Sequence, residues 1–259
     1  MPLNTSPSNA GPLNTGSLHT GPLHAGPLHT GKSSISTIAL DADDTLWHNE
    51  IHFQASEVRL AEIVAPWADR ETLGKRLLEI EHRNVRLYGY GIKGFTLSMI
   101  EAALELSGGA LAGTAVGEII AIGQQMLTYT IEPLPGVLET LQALKGRYRI
   151  IVITKGDLLD QETKIARSGL GDYLDDVHVV SEKTPEVYTR LFGGPDEAVR
   201  TVMIGNSMKS DVLPAIAAGS WGIHVPYHVT WALERAEDPQ DTTRFARFER
   251  LDELIGWLG

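Results

Sequence analysis

Three aspartates stand within four positions directly after a short apolar run. The run is ISTIAL, residues 35–40, and Asp41, Asp43 and Asp44 follow it. Side chains two apart in an extended segment share a face, so Asp41 and Asp43 can both face a cleft while Asp44 points elsewhere. Carboxylates at this spacing repel one another and resist burial. A site that binds a compensating cation would account for them, and a structural turn is the plainer alternative.

Polar residues also stand at or after the ends of three later apolar runs. They are Thr154, Lys183, and the pair Asn206 and Asp211. In open α/β sheets, ligands bind at the carboxyl ends of the strands, so these side chains are expected to meet the aspartates there. Each is a weak signal alone, because a threonine can simply end a strand and a lysine can simply be solvated.

Short apolar runs recur from residue 35 onward, with the length and β-branched content of buried strands. They lie at 35–40, 148–154, 177–180, 201–205 and 221–225. Helical segments follow three of them, at 157–169, 184–192 and 209–219. This alternation predicts an α/β fold, a Rossmann-like parallel sheet core with helices on both faces. Asp157 is expected to cap the first of these helices, and Trp47 and Trp221 to pack in the core.

About 85 residues between the first two strands show helical spacing and no clear strand. Three apolar faces are predicted there, on Leu73, Leu77 and Ile80, on Leu97, Ile100 and Leu104, and on Val116, Ile119, Gly123 and Met126. A single crossover does not need this length, so an all-helical domain at 48–131 is expected, inserted into a core of 35–47 and 132–259. The segment YGYGIKGF, at 88–95, interrupts the helical spacing, and its Tyr90 and Lys93 are candidates for substrate contact.

The polar motifs taken in order resemble those of the haloacid dehalogenase-like (HAD) hydrolase superfamily. They are Asp41-x-Asp43-x-Thr45, a strand ending in Thr154, Lys183-x-Pro185, and Gly205-Asn206 with Asp211 five positions after the asparagine. The resemblance covers residues 35 to about 226 and places the chain in the phosphatase branch. That branch carries a small helical cap between its first and second motifs, where this chain has its helical insert.

The resemblance implies phosphoryl transfer. Asp41 would be the nucleophile that forms an aspartyl-phosphate, and Asp43 the general acid and base, which needs a raised pKa to start protonated. Thr154 and Lys183 would bind phosphoryl oxygens. Mg²⁺ would be held by Asp41, the Asp43 main-chain carbonyl and Asp211. Many family members have Asp where this chain has Asn206, whose amide oxygen can still coordinate a cation but adds no charge.

The implied function is a Mg²⁺-dependent phosphatase that acts on a small phosphorylated metabolite. A 2-haloacid dehalogenase is one alternative, but that chemistry needs neither a leaving-group acid nor a metal, so Asp43 and Thr45 favour phosphate. A phosphomutase uses the same motifs and is a second alternative. A non-catalytic binding protein on this fold is the third, with Asn206 as its only hint. The motifs do not identify the metabolite.

Residues 1–34 differ from the rest of the chain. GPLNT, GSLHT, GPLHA and GPLHT repeat in tandem between positions 11 and 30, and the Pro-Gly content opposes both helix and strand. A disordered low-complexity tail is expected, and metal binding by its recurring His19, His24 and His29 is the less economical interpretation. The segment has neither a basic start nor an apolar signal core, so a cytoplasmic protein is expected.

Composition limits the classes of partner. The 259 residues include 22 Lys and Arg against 33 Asp and Glu, a formal net charge of −11, which argues against nucleic-acid and anionic-membrane partners. There is no cysteine, so disulfides, thiolate catalysis and zinc-thiolate sites are excluded. No run of about 18 apolar residues is present, so no membrane span is expected. Nothing in the composition predicts an oligomeric state.

Overall fold

The computed structural model describes Lys32–Gly259. The predicted tail therefore lies outside the described residues, except for Lys32–Ser34, which form one 3-10 turn. The amide of Ile35 closes that turn on the Lys32 carbonyl, 3.2 Å away. The first strand begins two residues later.

A parallel sheet of six strands forms the centre of the described chain. Its order is β3-β2-β1-β4-β5-β6, so β1, which precedes the aspartates, lies in the middle. The strands are β1 (Thr37–Leu40), β2 (Arg149–Lys155), β3 (Asp176–Val180), β4 (Thr201–Gly205), β5 (Trp221–His224) and β6 (Phe245–Arg247). The α/β prediction is confirmed, and the five predicted runs are strands. The edge strand β6 was missed because its three residues are too few to show a period.

Helices pack on both faces of this sheet. One apolar core includes Ile38, Val152 and Ile204, and the other includes Ala39, Ile151 and Met203, so alternate residues of each strand serve opposite faces. The helices of this part are α5 (Val137–Leu144), α6 (Leu158–Ser168), α7 (Pro185–Phe192), α8 (Pro195–Ala198), α9 (Leu213–Ala217) and α10 (Glu253–Leu258). A π-helical turn, Met208–Val212, precedes α9.

Two helices that follow strand ends begin at side-chain caps. Asp157 accepts a hydrogen bond from the Asp160 amide at the start of α6, as expected from the sequence. Thr184 caps α7 in the same way, and Pro185 occupies the first helical position, where its missing N–H costs nothing. These caps fix where the chain turns from strand to helix, next to Thr154 and Lys183.

Four further helices lie between β1 and β2 and form what we call the helical insert. They are α1 (Glu50–Val64), α2 (Arg70–Tyr88), α3 (Ile92–Leu106) and α4 (Gly113–Met126). They share an apolar cluster of their own, which includes Leu60, Leu77, Met99 and Ile122. The chain enters and leaves the insert along neighbouring paths, since the Leu134 amide donates to the Leu46 carbonyl at 2.8 Å. The insert is thus tethered to the sheet by two adjacent segments.

The predicted apolar face of α3 is wrong. Leu97 and Leu104 are 46% and 39% exposed, and the buried side carries Phe95, Met99 and Ala102. The helix has apolar residues on more than one side, and small residues decide which side packs. A Cβ added at Gly123 of α4 would lie 2.1 Å from the Thr96 hydroxyl, so the close approach of α4 to α3 requires glycine there.

The segment at 88–95 is also more helical than predicted. Only Gly89–Gly91 lie outside the helices, because α3 already begins at Ile92. Gly89 and Gly91 have φ values of 75° and 110°, a region that favours glycine. Lys93 is therefore fixed in the first turn of α3. Among the described helices, none is long and apolar enough to cross a membrane.

Candidate active site

The carboxyl ends of the central strands open into a cavity that the helical insert covers. The cavity and its opening hold about 1100 Å³ of space free of protein atoms, open solvent included. Its floor includes all six catalytic or metal-binding residues predicted from the sequence: Asp41, Asp43, Thr154, Lys183, Asn206 and Asp211. Its far wall comes from α1, α2 and α3. Residues as distant in sequence as Asp41 and Asn206 therefore share one site.

Lys183 bridges two buried carboxylates at the centre of this floor. Its Nζ lies 2.5 Å from Asp41 Oδ1 and 2.6 Å from Asp211 Oδ1. All three residues are at most 6% exposed. One ammonium cannot neutralise two carboxylates, so the group keeps an excess negative charge. Burial and Asp211 raise the pKa of Asp41 to about 7, against the opposing effect of Lys183. Burial lowers the pKa of Lys183, but the two carboxylates outweigh it and raise that pKa overall.

Gly205 and Ser207 set the position of Asp211. A Cβ at Gly205 would lie 2.2 Å from Asp211 Oδ2, so any other residue there would displace the carboxylate. The Ser207 amide donates to the same Oδ2 at 2.9 Å. The π-helical turn at Met208–Val212 brings Asp211 back over the end of β4. The fourth motif thus requires glycine at position 205 for a steric reason.

Thr45 joins the first motif to the fourth. Its hydroxyl lies 3.1 Å from Asp41 Oδ2 and 3.4 Å from Asn206 Oδ1. The same hydroxyl oxygen accepts a hydrogen bond from the main-chain amide of Asn206 at 3.1 Å. The Thr154 side chain is buried at the end of β2, and its hydroxyl contacts the Lys155 carbonyl at 3.2 Å. These contacts hold the floor of the site in one arrangement.

Asp43 points toward α6 and is surrounded by donors. Its carboxylate accepts hydrogen bonds from Trp47 Nε1 at 2.8 Å, from Gln161 Nε2 at 2.8 Å and from Lys164 Nζ at 3.0 and 3.2 Å. These contacts fix the orientation of the carboxyl group. Among these three donors, the buried Lys164 is the charged one. Trp47 is fully buried, as predicted, and also orients Asp43.

Asp44 has the structural role expected of it. It accepts hydrogen bonds from the Asn49 amide at 2.8 Å and the Glu50 amide at 3.0 Å, so it binds the start of α1. Its φ of 62° is the only positive value among the described non-glycine residues. Strain at this position is consistent with a turn that must present Asp41 and Asp43 to the cavity at the same time.

The floor offers oxygen ligands suited to a hard cation. The carboxylates of Asp41 and Asp211 line the floor together with Asn206 and Asp43. The Thr45 hydroxyl contacts both Asp41 Oδ2 and the side-chain amide oxygen of Asn206. Within Lys32–Gly259, no three His, Cys, Asp or Glu side chains converge on a metal position. A set of two carboxylates completed by neutral oxygens and water is one that Mg²⁺ accepts. The donor chemistry therefore fits Mg²⁺, with less negative charge than an aspartate at position 206 would give.

The two residues predicted to bind substrate have different placements. Tyr90 lines the cavity, donates its hydroxyl to Glu182 Oε1 at 2.6 Å, and lies under the Lys155 ammonium at 4.0 Å. Lys93 is not among the lining residues. It is 55% exposed and pairs with the helix cap Asp157 at 2.9 Å, because the first turn of α3 directs it outward. The expectation that Lys93 contacts substrate is corrected by this placement.

Four residues of the site were missed from the sequence. Gln161 and Lys164 lie three positions apart on α6, a spacing that places them on one helix face. Trp231 and Glu234 come from the segment after β5, and Glu234 accepts hydrogen bonds from Lys155 Nζ and Ser207 Oγ, both at 2.6 Å. The spacing of Gln161 and Lys164, which follow the helix cap Asp157, could have predicted that both side chains lie on the same face of α6. The segment after β5 has no motif that would reveal its place.

Three glutamates line the far wall of the cavity: Glu50, Glu57 and Glu81. Burial raises the pKa of Glu50 to about 8 and that of Glu81 to about 7, and neighbouring carboxylates add to both shifts. Burial also raises the pKa of Glu57. The folded protein thus binds protons at these residues that the unfolded chain releases near pH 4.5.

We expect this proton binding to make stability depend on pH. Because the folded pKa of Glu50 is raised, its contribution to the free energy of unfolding is present at low pH and lost as pH rises through about 8. Glu50→Gln should therefore gain more in melting temperature over the wild type at pH 8.5 than at pH 5.5. Differential scanning calorimetry at both values measures this, and an equal difference at both would contradict the assignment.

Comparisons with known proteins agree with this geometry. Residues 35–219 match the model of the haloacid dehalogenase-like hydrolases. A crystal structure of a haloacid dehalogenase-like family hydrolase from Xanthomonas campestris is 37% identical with a TM-score of 0.76, and the match covers 86% of this chain and 94% of that one. A 2-haloacid dehalogenase from Pseudomonas syringae pv. Tomato, 21% identical with a TM-score of 0.55 over 86% of this chain and 98% of its own, shares the fold.

Two curated relatives match over part of their length. The pyrimidine 5'-nucleotidase YjjG of Escherichia coli is 35% identical over 96 residues, which are 34% of this chain and 42% of the relative. The glyceraldehyde 3-phosphate phosphatase of Methanothermobacter thermautotrophicus is 33% identical over 144 residues, 47% of this chain and 61% of the relative. The matched segments thus span less than two thirds of either relative.

Proposed function

Because this chain belongs to the haloacid dehalogenase-like hydrolase family, we propose that it is a phosphatase that hydrolyses a phosphate monoester of a small metabolite. The observation that carries the proposal is the pairing of two different carboxylates at one strand end. Asp41 is held by Lys183 in the floor of the cavity, and Asp43 is held by separate donors on α6. One can act as a nucleophile while the other handles a proton.

In the first half-reaction, Asp41 attacks the phosphorus atom and the ester oxygen leaves. Lys183 and Thr154 line the position of the phosphoryl oxygens, where an ammonium and a hydroxyl neutralise and orient them. Asp43 supplies a proton to the leaving oxygen. In the second half, the Asp43 carboxylate takes a proton from water, which attacks the phosphorus of the aspartyl-phosphate and frees Asp41.

Asp43 must change partners during this cycle. Trp47, Gln161 and Lys164 all donate to the Asp43 carboxyl group, so both of its oxygens are already engaged as acceptors. Donation to the leaving group therefore requires that at least the Lys164 contact opens. The same contacts suit the second half-reaction, because they hold the Asp43 carboxyl group in a fixed orientation for taking a proton from water.

Mg²⁺ bound at this floor would offset the negative charge that Asp41 and Asp211 share with the phosphoryl group. The residues that would hold it are Asp41, Asp211, Asn206 and the main-chain carbonyl of Asp43. Lys183 would then be free to turn from the two carboxylates to the phosphoryl oxygens.

The curated relatives support phosphate rather than halide as the leaving chemistry. Their names describe a 5'-nucleotidase and a phosphatase. A dehalogenase remains the second candidate, because solved dehalogenases share the fold. Dehalogenation needs no leaving-group acid, so it does not account for Asp43 or for the four hydrogen bonds that Asp43 accepts.

Turnover of p-nitrophenyl phosphate and of 2-chloropropionate, each with and without Mg²⁺, separates the two candidates. We expect release of p-nitrophenolate with Mg²⁺ and no chloride release. Chloride release without phosphate turnover would instead identify a dehalogenase. The absence of both activities would indicate a binding protein.

We expect activity to require Mg²⁺ and to be lost with EDTA or with excess Ca²⁺, which takes more ligands at longer distances. Asn206→Asp should bind Mg²⁺ more tightly, because it adds a carboxylate to the set. Titration of activity against free Mg²⁺ measures this, with Gln142→Glu, which adds a carboxylate at an exposed position outside the cavity, as the control. An unchanged or weaker apparent affinity would exclude Asn206 as a ligand.

A further inference from the structure

Asn84 is a polar side chain of α2 that lines the cavity and is almost completely buried. It is 3% exposed and belongs to the wall that the helical insert contributes. Glu81 lies three positions earlier, on the same face of α2, and accepts a hydrogen bond from Trp231 Nε1 of the sheet domain at 3.3 Å. That contact identifies the face of α2 that is turned toward the cavity. Asn84 lies on this face.

Two partners on α3 fix the orientation of the Asn84 side-chain amide. Its Nδ2 donates to Glu101 Oε2 at 2.8 Å and to Ser98 Oγ at 3.2 Å. Arg83 pairs with the Glu101 carboxylate, which accepts hydrogen bonds and has none to donate. The Ser98 hydroxyl gives its own proton to the Gly94 carbonyl at 3.0 Å, so it also acts as an acceptor toward Asn84. Both partners therefore require the nitrogen of the amide.

The amide oxygen of Asn84 is left over by this arrangement. Among the described residues, none donates a hydrogen bond to Asn84 Oδ1. Protein does not enclose this atom either, because the enclosed side-chain atoms that lack a partner in Lys32–Gly259 are Gln161 Oε1, His178 Nε2 and Trp221 Nε1. Asn84 Oδ1 thus borders open space, and the space beside this residue is the cavity. A fixed acceptor without a donor is a place for a bound molecule to donate a hydrogen bond.

We propose that Asn84 Oδ1 binds the leaving group of the substrate, and that this leaving group carries a hydroxyl or an amide N–H at the end remote from the phosphate. The inference rests on the proposed phosphatase function and names a specificity-determining residue for that site. The phosphoryl group lies against Lys183 and Asp41 on the floor, and the hydrogen-bond donor lies toward the insert.

The surroundings of Asn84 make this contact selective. Phe53, Val85 and Phe95 line the same space, and their side chains offer no donor that could replace the substrate. In the free protein, water can bind at Asn84 Oδ1. A leaving group without a donor would displace that water and leave the oxygen unsatisfied, so the enzyme should disfavour it.

The plainer alternative is that Asn84 only ties α2 to α3 through its two donated hydrogen bonds. Its oxygen would then have no influence on the choice of substrate. The two accounts therefore differ in whether kcat/KM depends on a donor in the leaving group.

The test compares phosphate monoesters that differ only in this donor. One series pairs ω-hydroxyalkyl phosphates with their methyl ethers, and the other pairs ω-carboxamidoalkyl phosphates with their N,N-dimethyl amides. We expect kcat/KM to favour the donor by about 10-fold or more in one series at the best chain length, and the series with the larger ratio distinguishes hydroxyl from amide. Asn84→Ala should reduce that ratio to about twofold or less.

Glu101→Ala is the second variant and covers the case in which Asn84→Ala folds poorly. Glu101 does not line the cavity, and its removal frees the Asn84 amide to rotate, so the ratio should fall by about threefold. Glu105→Ala is the matched control. Glu105 lies one turn later on α3, pairs with the same Arg83 and is also absent from the cavity wall, so the ratio should stay unchanged.

Ratios near one in both series, or a ratio that survives both Asn84→Ala and Glu101→Ala, would overturn the inference. If p-nitrophenyl phosphate is hydrolysed in either case, the phosphatase function stands and only the role of Asn84 fails. Without turnover of any phosphate ester, both fail.

Discussion

Asp41→Asn should abolish phosphatase turnover, with a loss of kcat on the order of 10⁴-fold or more, as is typical when a covalent nucleophile is removed. The amide that replaces the carboxylate cannot form the acyl-phosphate bond. Lys183 keeps Asp211 as a partner at 2.6 Å, so the loss does not come from an unpaired buried ammonium. Steady-state kinetics with p-nitrophenyl phosphate measures it.

The fold should survive this change. An asparagine at this position would preserve the size of the side chain and relieve the repulsion between two buried carboxylates, so the melting temperature should stay level or rise. Asp196→Asn, at an exposed position in the first turn of α8, is the matched control and should retain full activity. Wild-type rates from Asp41→Asn, with mass spectrometry excluding reversion to Asp, would remove Asp41 from the mechanism.

Asp43→Asn should show a loss that depends on the leaving group. For an alkyl phosphate, kcat should fall by about 10²–10⁴-fold, because the departing alkoxide needs a proton. For p-nitrophenyl phosphate the first half-reaction should proceed nearly unimpaired, since nitrophenolate leaves without protonation. The second half still lacks its base, so the phosphoenzyme should accumulate.

A burst of nitrophenolate, about one per active site, is the expected sign of this accumulation in a rapid-mixing experiment. Lys164→Met, which removes the ammonium from Asp43 but leaves Gln161 and Trp47 as donors, should slow the second half-reaction and also give a burst. Equal losses for both leaving groups, with no burst in Asp43→Asn, would contradict the role of Asp43 in proton transfer.

Local sequence patterns identified five of the six strands of the sheet, because each of those five lies in a short apolar run. They also located the floor of the site, since every predicted catalytic or metal-binding residue follows such a run. Steric details such as Gly205 beside Asp211 became clear only in three dimensions, because they depend on a contact made through the π-helical turn.

The wall of the cavity was harder to predict. Lys93 stood in a segment that interrupts the helical spacing and was a candidate for substrate contact, yet the first turn of α3 directs it to Asp157. Glu81 and Trp231 are 150 positions apart and meet only because the insert folds over the sheet. Which side of α3 is buried depended on how closely small residues let neighbouring helices approach, and hydrophobic periodicity does not carry that information.

The most direct test of the account is to trap the covalent intermediate. A single turnover with a ³²P-labelled phosphate monoester and Mg²⁺, quenched in acid, should leave label on the peptide that contains Asp41. Borohydride reduction should then convert that residue to homoserine, because an acyl phosphate is reduced and a free carboxylate is not. Label on a different residue, or full turnover with no labelled protein at any quench time, would contradict Asp41 as the nucleophile.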